Sequence, residues 1–275
     1  KRKKMAFSKT LVSDSVVQRL IEQQNIYNSC NRGFDALVRP GATSVDIPDL
    51  AIPKVKKTGT SATHSDRKNA KADTALINVP LGPYAVPLAN EITAQWESNG
   101  ILIKEYLDSA ALVLGEQFDS EVITEAQSGT KTAFAGSSMA WADLTALKKR
   151  MDKNKIPQTG RVLVVSADLV DEFFAIDTVK NATSYNKDYL ESGRVPSLLG
   201  FQIFISGLVP TVTVSSAQKV NMTAFYGPGL AFVMGRQAEL KEVYDEENLK
   251  DIKDLVCQAG TKLLNTKFAE VVYKP

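Results

Sequence analysis

The feature that most constrains this chain is a proline-free stretch that begins near Glu91 and continues to about Gln127. Within it, apolar residues recur at spacings of three, four and seven, which is the spacing of one face of an α-helix. These residues are Ile92, Trp96, Ile103, Leu107, Ala110, Leu114 and Phe118. A helix of about 25 residues is about 38 Å long, which exceeds the average globular helix. The stretch therefore predicts one long helix whose apolar face packs inward.

Charge is distributed unevenly, although the formal net charge of the whole chain is only +2. Between Glu91 and Glu125 there are eight acidic residues and one basic residue, a net charge of −7. By contrast, residues 54–71 contain six basic and one acidic residue, and residues 1–40 contain eight basic and three acidic residues, so each segment is +5. Such complementary charges fit a subunit whose basic segments reach over the acidic helix of a neighbour. The alternative is solvated charge on unrelated surfaces, where an exposed pair contributes about 0 to 1 kcal/mol.

The segment before this helix is β-like and rich in proline. Four short runs of strand-forming residues alternate with prolines, which restrict strands to edges and ends. The runs are residues 44–47, 51–55, 75–79 and 84–86, and the prolines are Pro48, Pro53, Pro80, Pro83 and Pro87. Between the second and third runs, residues 56–72 contain almost no large apolar side chain. A gap of about 17 residues is longer than most loops in compact domains, so we predict an extended hairpin with a solvated tip; a surface insertion without a role is the alternative.

Residues 1–40 have the composition of an arm that cannot fold alone. They begin with the basic sequence Lys-Arg-Lys-Lys and contain one short amphipathic stretch, residues 15–27. Its apolar residues are Val16, Leu20, Ile21 and Ile26. These are too few for a core, so the arm must dock either on its own subunit or on a neighbour. Because Lys1 is not a methionine, three possibilities stay open: a protease-generated terminus, a numbering that starts at the ordered part, and a protein that uses a separate scaffold, with Met5 as a possible natural start.

Beyond residue 129 the pattern alternates between helix and strand. The predicted elements are a helix over residues 141–151 capped by Ser137 or Ser138, a strand at 161–165, a helix at 168–174, and strands at 201–205 and 220–226. Together they predict one compact domain of residues 130–235. Further strands, predicted at residues 239–244, 252–257 and 267–273, return to pack on the long helix.

The inventory of reactive side chains argues against an enzyme. The single histidine, His64, lies among Ser61, Thr63, Ser65 and Asp66 in a segment typical of an exposed loop, where a base is not preorganised. No cluster has the spacing of a metal site, and no glycine-rich phosphate loop follows a strand. Residues 259–262, Ala-Gly-Thr-Lys, superficially resemble such a loop but fit a hairpin turn better. We predict no catalytic, cofactor-binding or metal-binding residue.

A membrane or secreted protein is also disfavoured. The longest apolar runs, such as residues 110–114, are far below the roughly 18 residues that cross a bilayer, and no signal segment opens the chain. Cys30 and Cys257 lie far apart in the sequence, and nothing indicates an extracellular context in which they would pair. We predict that both are reduced residues of a core or an interface.

The most specific segment is residues 192–210, SGRVPSLLGFQIFISGLVP. It contains a turn at Gly193 and Arg194, a Gly200-Phe201 step into an alternating strand, and an end at Pro210. Upstream, residues 160–165, GRVLVV, are followed by the serine-capped helical sequence SADLVDEFF. In order and spacing these segments resemble the major capsid protein family of tailed phages, the Hong Kong 97 type.

The resemblance implies an α+β fold with an N-terminal arm, an extended hairpin called the E-loop, a long spine helix, and peripheral and axial domains. On this chain it would place the arm at residues 1–40, the E-loop at 41–90, the spine helix at 91–129, the axial domain at 130–235, and C-terminal strands that return to the peripheral domain at 236–275. It also implies contacts between basic hairpin residues of one copy and acidic helix residues of another. The expected inter-subunit residues are Lys54, Lys56, Lys57, Arg67, Lys68, Lys71, Glu97, Glu105, Asp108 and Glu116.

The implied function is that of a shell protein without catalysis or a cofactor. Copies would assemble in the host cytoplasm as hexamers and pentamers of an icosahedral phage head, which is the location of the protein in the virion. Scaffolding protein, portal and, in some phages, decoration proteins would be its partners, together with double-stranded DNA held non-specifically. Some relatives crosslink a hairpin lysine to a neighbour's asparagine, but no residue here identifies that asparagine, so no crosslink is predicted.

Two rival hypotheses stay open. An encapsulin-like nanocompartment has the same fold and encloses a cargo enzyme, although the proline-rich hairpin and the basic arm favour the phage hypothesis. A basic nucleic-acid-binding module would use residues 1–4 and 54–71, but neither stretch has the interleaved aromatic residues on which single-stranded bases stack. Composition does not encode the host, the triangulation number or the scaffold arrangement.

Overall fold

The computed structural model describes residues 26–39, 41–50, 74–91, 101–177, 179, 197–245 and 250–275. These residues form a mixed α+β structure. Its helices are α1 (Ile101–Ala126), α2 (Trp141–Lys153) and α3 (Val170–Ala175). Its strands are β1 (Ser44–Leu50), β2 (Thr74–Pro80), β3 (Gly82–Glu91), β4 (Thr130–Ala133), β5 (Arg161–Ser166), β6 (Ser197–Leu198), β7 (Phe201–Ser206), β8 (Val212–Val214), β9 (Ala217–Lys219), β10 (Asn221–Tyr226), β11 (Leu230–Asp245), β12 (Lys250–Leu263) and β13 (Ala269–Tyr273).

A six-stranded sheet in the order β4-β13-β10-β5-β7-β6 organises the second half of the chain. β5 and β7 are parallel, as are β13 and β4, whereas β10 runs antiparallel to both of its neighbours. Every residue of the central strand β5 is buried. Alternate side chains point to opposite faces of a strand, so β5 contributes to two hydrophobic cores.

The two cores lie on opposite faces of this sheet. On one face, Leu163 of β5 packs with Leu147 of α2 and Phe173 of α3. On the other face, Val162 of β5 packs with α1, and that cluster extends to β11 and β12. The short helices and the long helix are therefore separated by the sheet.

The inward face of α1 is the one that the sequence predicts. Ala110, Leu114 and Phe118 are at most 2% exposed, which confirms the helical spacing over this part. The side chains of Ile103 and Leu107, and residues 92–100, lie outside the described part of the chain. The predicted start of the helix at Glu91 is wrong, because Glu91 is the last residue of β3 and pairs with Lys250 of β12. None of the described helices is both long and apolar enough to cross a membrane.

A second sheet consists of three antiparallel strands in the order β11-β12-β3. Beside it, β1 and β2 form a separate antiparallel hairpin with Ser44 opposite Pro80 and Leu50 opposite Thr74. The first and third predicted runs are strands and pair with each other, whereas the second run, residues 51–55, and the predicted tip, residues 56–72, lie outside the described residues. The fourth run, residues 84–86, joins β12 rather than the hairpin.

Two local predictions are wrong for identifiable reasons. Neither Ser137 nor Ser138 caps α2; Ala140 is the N-cap, and Asp143 accepts its backbone N–H at 2.9 Å. Residues 259–262 lie inside β12 rather than in a turn. The strand predicted at residues 267–273 is β13, which joins the six-stranded sheet between β10 and β4, and its Ala269 lies in the same core cluster as α1, as predicted. The division of the chain into arm, E-loop, spine helix, axial and peripheral parts stays a prediction.

Candidate assembly surfaces

Residues 26–39, which we call the arm anchor, dock on the rest of the same subunit. Asn31 forms a parallel bridge with Ala231: its N–H donates to the Leu230 carbonyl at 2.9 Å, and Phe232 N–H donates to the Asn31 carbonyl at 3.0 Å. Further along, Asp35 Oδ1 accepts from Met234 N–H at 2.8 Å. The arm anchor therefore covers the first residues of the β11 edge, which would otherwise offer unpaired backbone groups.

Close packing holds the same segment at its N-terminal end. The Tyr27 side chain is 1% exposed and meets the rings of Phe118 and Phe232, with centroids 5.6 and 5.1 Å away. Each such aromatic pair contributes about 0.5 to 1.5 kcal/mol beyond the burial of its area. Gly227 allows the backbone to approach, because a Cβ at this position would lie 2.1 Å from the Ser29 carbonyl oxygen.

The buried carboxylate of Asp119, on α1, also holds the arm anchor in place. Its Oδ1 accepts the backbone N–H of Tyr27 at 2.9 Å. Burial, reinforced by the charge of Glu116, raises the pKa of Asp119 to about 6, against the opposing hydrogen bonds from Tyr27 and Ile26. Burial, followed by the charge of Asp119, also raises the pKa of the Cys30 thiol above its ordinary value. The structure has both Cys30 and Cys257 as free, buried residues of one core, in agreement with the prediction.

The base of the β1–β2 hairpin is fixed to the three-stranded sheet. Leu81 N–H donates to the Thr43 carbonyl at 2.8 Å, and Gln258 Nε2 donates to the Ala42 carbonyl at 3.0 Å. Beneath these bonds lies a small apolar cluster made of Val45, Ile47, Val79, Leu81, Ala231 and Val233. The described strands of the hairpin are therefore fixed at this end to the three-stranded sheet. Its predicted contact residues, Lys54, Lys56, Lys57, Arg67, Lys68 and Lys71, lie outside the described residues.

The outward face of α1 carries two large apolar side chains among its polar residues. Leu112 and Val113 are adjacent and are 48% and 53% exposed. Of the acidic residues predicted to meet a neighbour, Glu116 is exposed on this helix. The side chains of Glu105 and Asp108, and the whole of Glu97, lie outside the described part, so these contacts stay predictions.

Other acidic residues of α1 are used inside the subunit. Glu121 accepts a hydrogen bond from the Tyr84 hydroxyl. Glu125 accepts from Lys262 Nζ at 2.9 Å and from Leu263 N–H at 3.1 Å. Together with Asp119, these residues bind α1 to β3, to β12 and to the arm anchor. Glu125 is therefore paired with a lysine of its own subunit, whereas Asp119 and Glu121 are engaged by hydrogen bonds within it.

The signature residues that the structure describes have structural roles. Gly200 has φ +84° in the two-residue turn between β6 and β7, where Leu198 pairs with Phe201. The buried Phe201 ring lies 5.9 Å from the guanidinium carbon of Arg161, and the Pro210 carbonyl accepts from Gln127 Nε2 at 2.7 Å. Gly193 and Arg194 lie outside the described residues.

An open cleft of about 460 Å³ lies beside α2 and α3. It is lined by Ser138, Met139, Ala140, Trp141, Glu172, Ala175, Ile176 and Asp177. Both carboxylate oxygens of Glu172 are engaged, one by Lys274 Nζ at 2.5 Å and the other by Met139 N–H at 2.7 Å, and the bond from Lys274 lowers the pKa of Glu172. Glu172 therefore ties the C-terminal residues to α3. Among the described residues, no group of three or more His, Cys, Asp or Glu could hold a metal ion.

No protein-family model and no curated protein matches the sequence. Solved structures do match it along almost its whole length. A chain of Mycobacterium phage Che8 is 19% identical, with 90% of this chain and 91% of that chain covered and a TM-score of 0.66. The capsid of cyanophage P-SCSP1u gives 14% identity, 85% and 84% coverage and a TM-score of 0.62. A virus-like particle from Pyrococcus furiosus gives 11% identity, 95% and 97% coverage and a TM-score of 0.59.

This chain has the Hong Kong 97 capsid fold. The resemblance that the sequence carries at residues 160–210 is thereby confirmed at the level of the fold. Because the coverage is high on both chains, the capsid fold extends over the long helix, the sheets and the hairpin base and is not restricted to one domain.

Proposed function

We propose that this chain is the major capsid protein of a tailed phage, a structural subunit of an icosahedral head. The observation that carries the proposal is the likeness to phage subunits from end to end, with 90% of this chain and 91% of the Che8 chain covered. Copies would form hexamers and pentamers, in which each weak contact is multiplied by closed symmetry.

The outward face of α1 supports assembly. Full burial of a Val or Leu side chain stabilises a protein by about 1.5 to 3 kcal/mol, so covering the half-exposed Leu112 and Val113 would contribute about 1 kcal/mol each per interface. A contact of this size is negligible for one pair of subunits. It becomes decisive when a closed shell repeats it many times.

The finer contacts belong to the same proposal. Residues 1–25 and 51–73 carry more basic than acidic side chains, and we propose that these two segments reach a neighbouring copy. We propose that the basic residues of the hairpin contact acidic residues of another copy. The basic residues are Lys54, Lys56, Lys57, Arg67, Lys68 and Lys71, and the acidic residues are Glu97, Glu105, Asp108 and Glu116. Scaffolding protein, portal and decoration proteins would be its other partners. Packaged double-stranded DNA would be held non-specifically, with a strong dependence on salt.

The encapsulin-like alternative has the same fold and is tested by what the shell contains. The virus-like particle from Pyrococcus furiosus has a TM-score of 0.59, within the range of the phage structures, so the phage assignment is supported by the several phage structures that match and not by the score. A nucleic-acid-binding module predicts a stable monomer instead, so the assembly state separates the two classes.

The test is electron microscopy and light scattering of the purified full chain, alone and with candidate scaffold. Closed shells, or rings of five and six, support the proposal, and DNA or a cargo enzyme inside separates phage head from nanocompartment. Val113→Asp should prevent assembly, whereas the isosteric Val113→Thr should weaken it only partly. Because Val113 is exposed, both variants should melt within a few degrees of the unassembled wild type. Normal assembly of Val113→Asp would show that the outward face of α1 is not an assembly interface. A wild-type chain that stays monomeric at all concentrations, with scaffold present, would refute the proposed function itself.

A further inference from the structure

The junction between the arm anchor and α1 contains a carboxylate where an uncharged acceptor would be enough. Asp119 is 8% exposed, and its role in the fold is to accept backbone N–H groups at the start of the 3₁₀ turn Ile26–Ser29. An asparagine oxygen could accept the same bond without bringing a charge into the interface. A buried carboxylate that lacks a basic partner is costly, because desolvation disfavours its ionised form.

The groups around Asp119 increase that cost. Glu116 lies one turn earlier on α1, and its negative charge opposes ionisation. From the arm anchor, Cys30 faces the carboxylate, and its thiol stays protonated because burial raises its pKa. Tyr27 contributes a backbone donor and an apolar ring packed on Phe118 and Phe232. Among the described residues, neither the arm anchor nor α1 places a basic side chain on this carboxylate.

We propose that docking of the arm anchor is proton-linked through Asp119, so that the arm is held more tightly as the pH falls. When the anchor lifts off, Asp119 returns to water and to the ordinary pKa of an aspartate. The docked state therefore binds a proton more readily than the undocked state, and protonation favours docking. The inference concerns a single subunit and does not depend on shell assembly.

The two pKa values fix the size of the effect. With an ordinary value of 3.8 in the undocked state and a value of about 6 in the docked state, linkage predicts that the equilibrium for undocking rises about tenfold between pH 5 and pH 8. Most of this rise falls between pH 5 and pH 6.5, because above that range Asp119 is ionised in both states.

Hydrogen exchange of the full chain tests the proposal. The amides to follow are Asn31 and Phe232, which bond across the junction between the arm anchor and β11. Intrinsic exchange itself depends on pH, so the measured quantity is the ratio of wild type to Asp119→Asn at each pH. Asparagine keeps an acceptor for Tyr27 N–H but cannot ionise. The ratio should rise about tenfold from pH 5 to pH 8, and a ratio that stays constant overturns the proposal.

Two further variants keep the test independent of how well Asp119→Asn folds. Glu116→Gln removes the exposed neighbouring charge, so the rise in exchange with pH should become smaller than in the wild type; an unchanged rise also counts against the proposal. Asp143→Asn is the matched control, because Asp143 is a second buried aspartate that accepts backbone N–H groups, from Ala135 and Ala140. It should alter exchange near α2 and leave the pH dependence of the arm anchor unchanged.

If the chain forms shells as proposed, protonation of Asp119 would shift the arm anchor of each subunit between an undocked and a docked state. The arm anchor, residues 26–39, would undock more often at alkaline pH and would be held against α1 at acidic pH. Absence of shells would refute the proposed function without affecting the exchange result, so the two hypotheses fail separately.

Discussion

Gly260 is a position where a single methyl group should be very costly. It lies in the interior of β12, opposite Val233 of β11. A Cβ there would be 2.0 Å from the Pro80 carbonyl oxygen, 3.0 Å from the Pro80 carbonyl carbon and 3.2 Å from Leu81 Cδ2. The first two atoms are backbone at the corner where β2 passes into β3, so no side-chain rotation relieves the clash. Glycine is required here for close approach, and its φ is not among the positive values of the described residues.

The magnitude for Gly260→Ala follows from two opposing effects. Overpacking costs about 1 to 3 kcal/mol, and a clash with backbone belongs at the upper end of that range. Reduced entropy of the unfolded chain returns about 0.4 to 1 kcal/mol. The net loss should be about 2 kcal/mol, which lowers the melting temperature by about 4 to 8 °C for a chain of this size.

Thermal unfolding of the unassembled subunit measures the effect against a matched control. Gly207→Ala makes the same chemical change at a site where a Cβ has nothing within 4 Å, so its melting temperature should stay the same or rise slightly. Equal melting temperatures for the two variants would refute the argument that the contact with Pro80 decides the cost.

Two further predictions concern a strained turn and a buried cation. Ser215 and Ser216, with φ of 50° and 66°, form the two-residue turn between β8 and β9. Asparagine and glycine tolerate positive φ better than serine does, so replacing the two serines by Asn-Gly should stabilise the protein by about 1 kcal/mol. Urea titration of the unassembled subunit measures this change. Asp152 accepts from Arg161 at 2.7 Å, and this hydrogen bond lowers the pKa of Asp152, so its contribution to stability is present at neutral pH and lost as the pH falls through the lowered pKa. Asp152→Asn should therefore lower the free energy of unfolding at pH 7 by at most about 1 kcal/mol, because Asp152 is 38% exposed and Arg161 keeps its hydrogen bonds to the Pro157 and Ile156 carbonyls. Thermal unfolding at several pH values measures the effect, and the difference from wild type should shrink below pH 4.

Much of the fold is predictable from local patterns. The spacing of Ala110, Leu114 and Phe118 identifies the inward face of α1, and the alternation after Gly200 identifies β7, since each pattern depends only on neighbouring residues. The sequence at 160–174 places β5 and α3 within a residue or two for the same reason. The capsid fold itself was implied by the resemblance of residues 160–210 to a known family and not by these patterns alone.

The structural features that could not be predicted depend on contacts between residues that are far apart in the sequence. Glu91 looks like the start of an acidic helix, yet it belongs to β3 because β12 supplies a partner strand from 160 residues downstream. Gly260 resembles a turn glycine because the approach of Pro80 is invisible in the local sequence. Asp119, Glu121 and Glu125 were counted as surface charge, and nothing in their spacing reveals that Tyr27, Tyr84 and Lys262 bind them.

The internal use of these acids changes the electrostatic argument for assembly. Each of them connects α1 to a different part of the subunit, so the helix is fixed by charge on its inner side and is apolar at Leu112 and Val113 on its outer side. A neighbour that approaches this outer face would therefore meet a rigid hydrophobic patch next to the exposed Glu116, and not a uniform acidic surface. Hydrophobic contact would then supply most of the affinity, whereas the basic hairpin would set orientation and the rate of encounter. High salt should consequently slow assembly more than it destabilises completed shells, and assembly kinetics and shell dissociation measured over the same range of salt would separate the two effects.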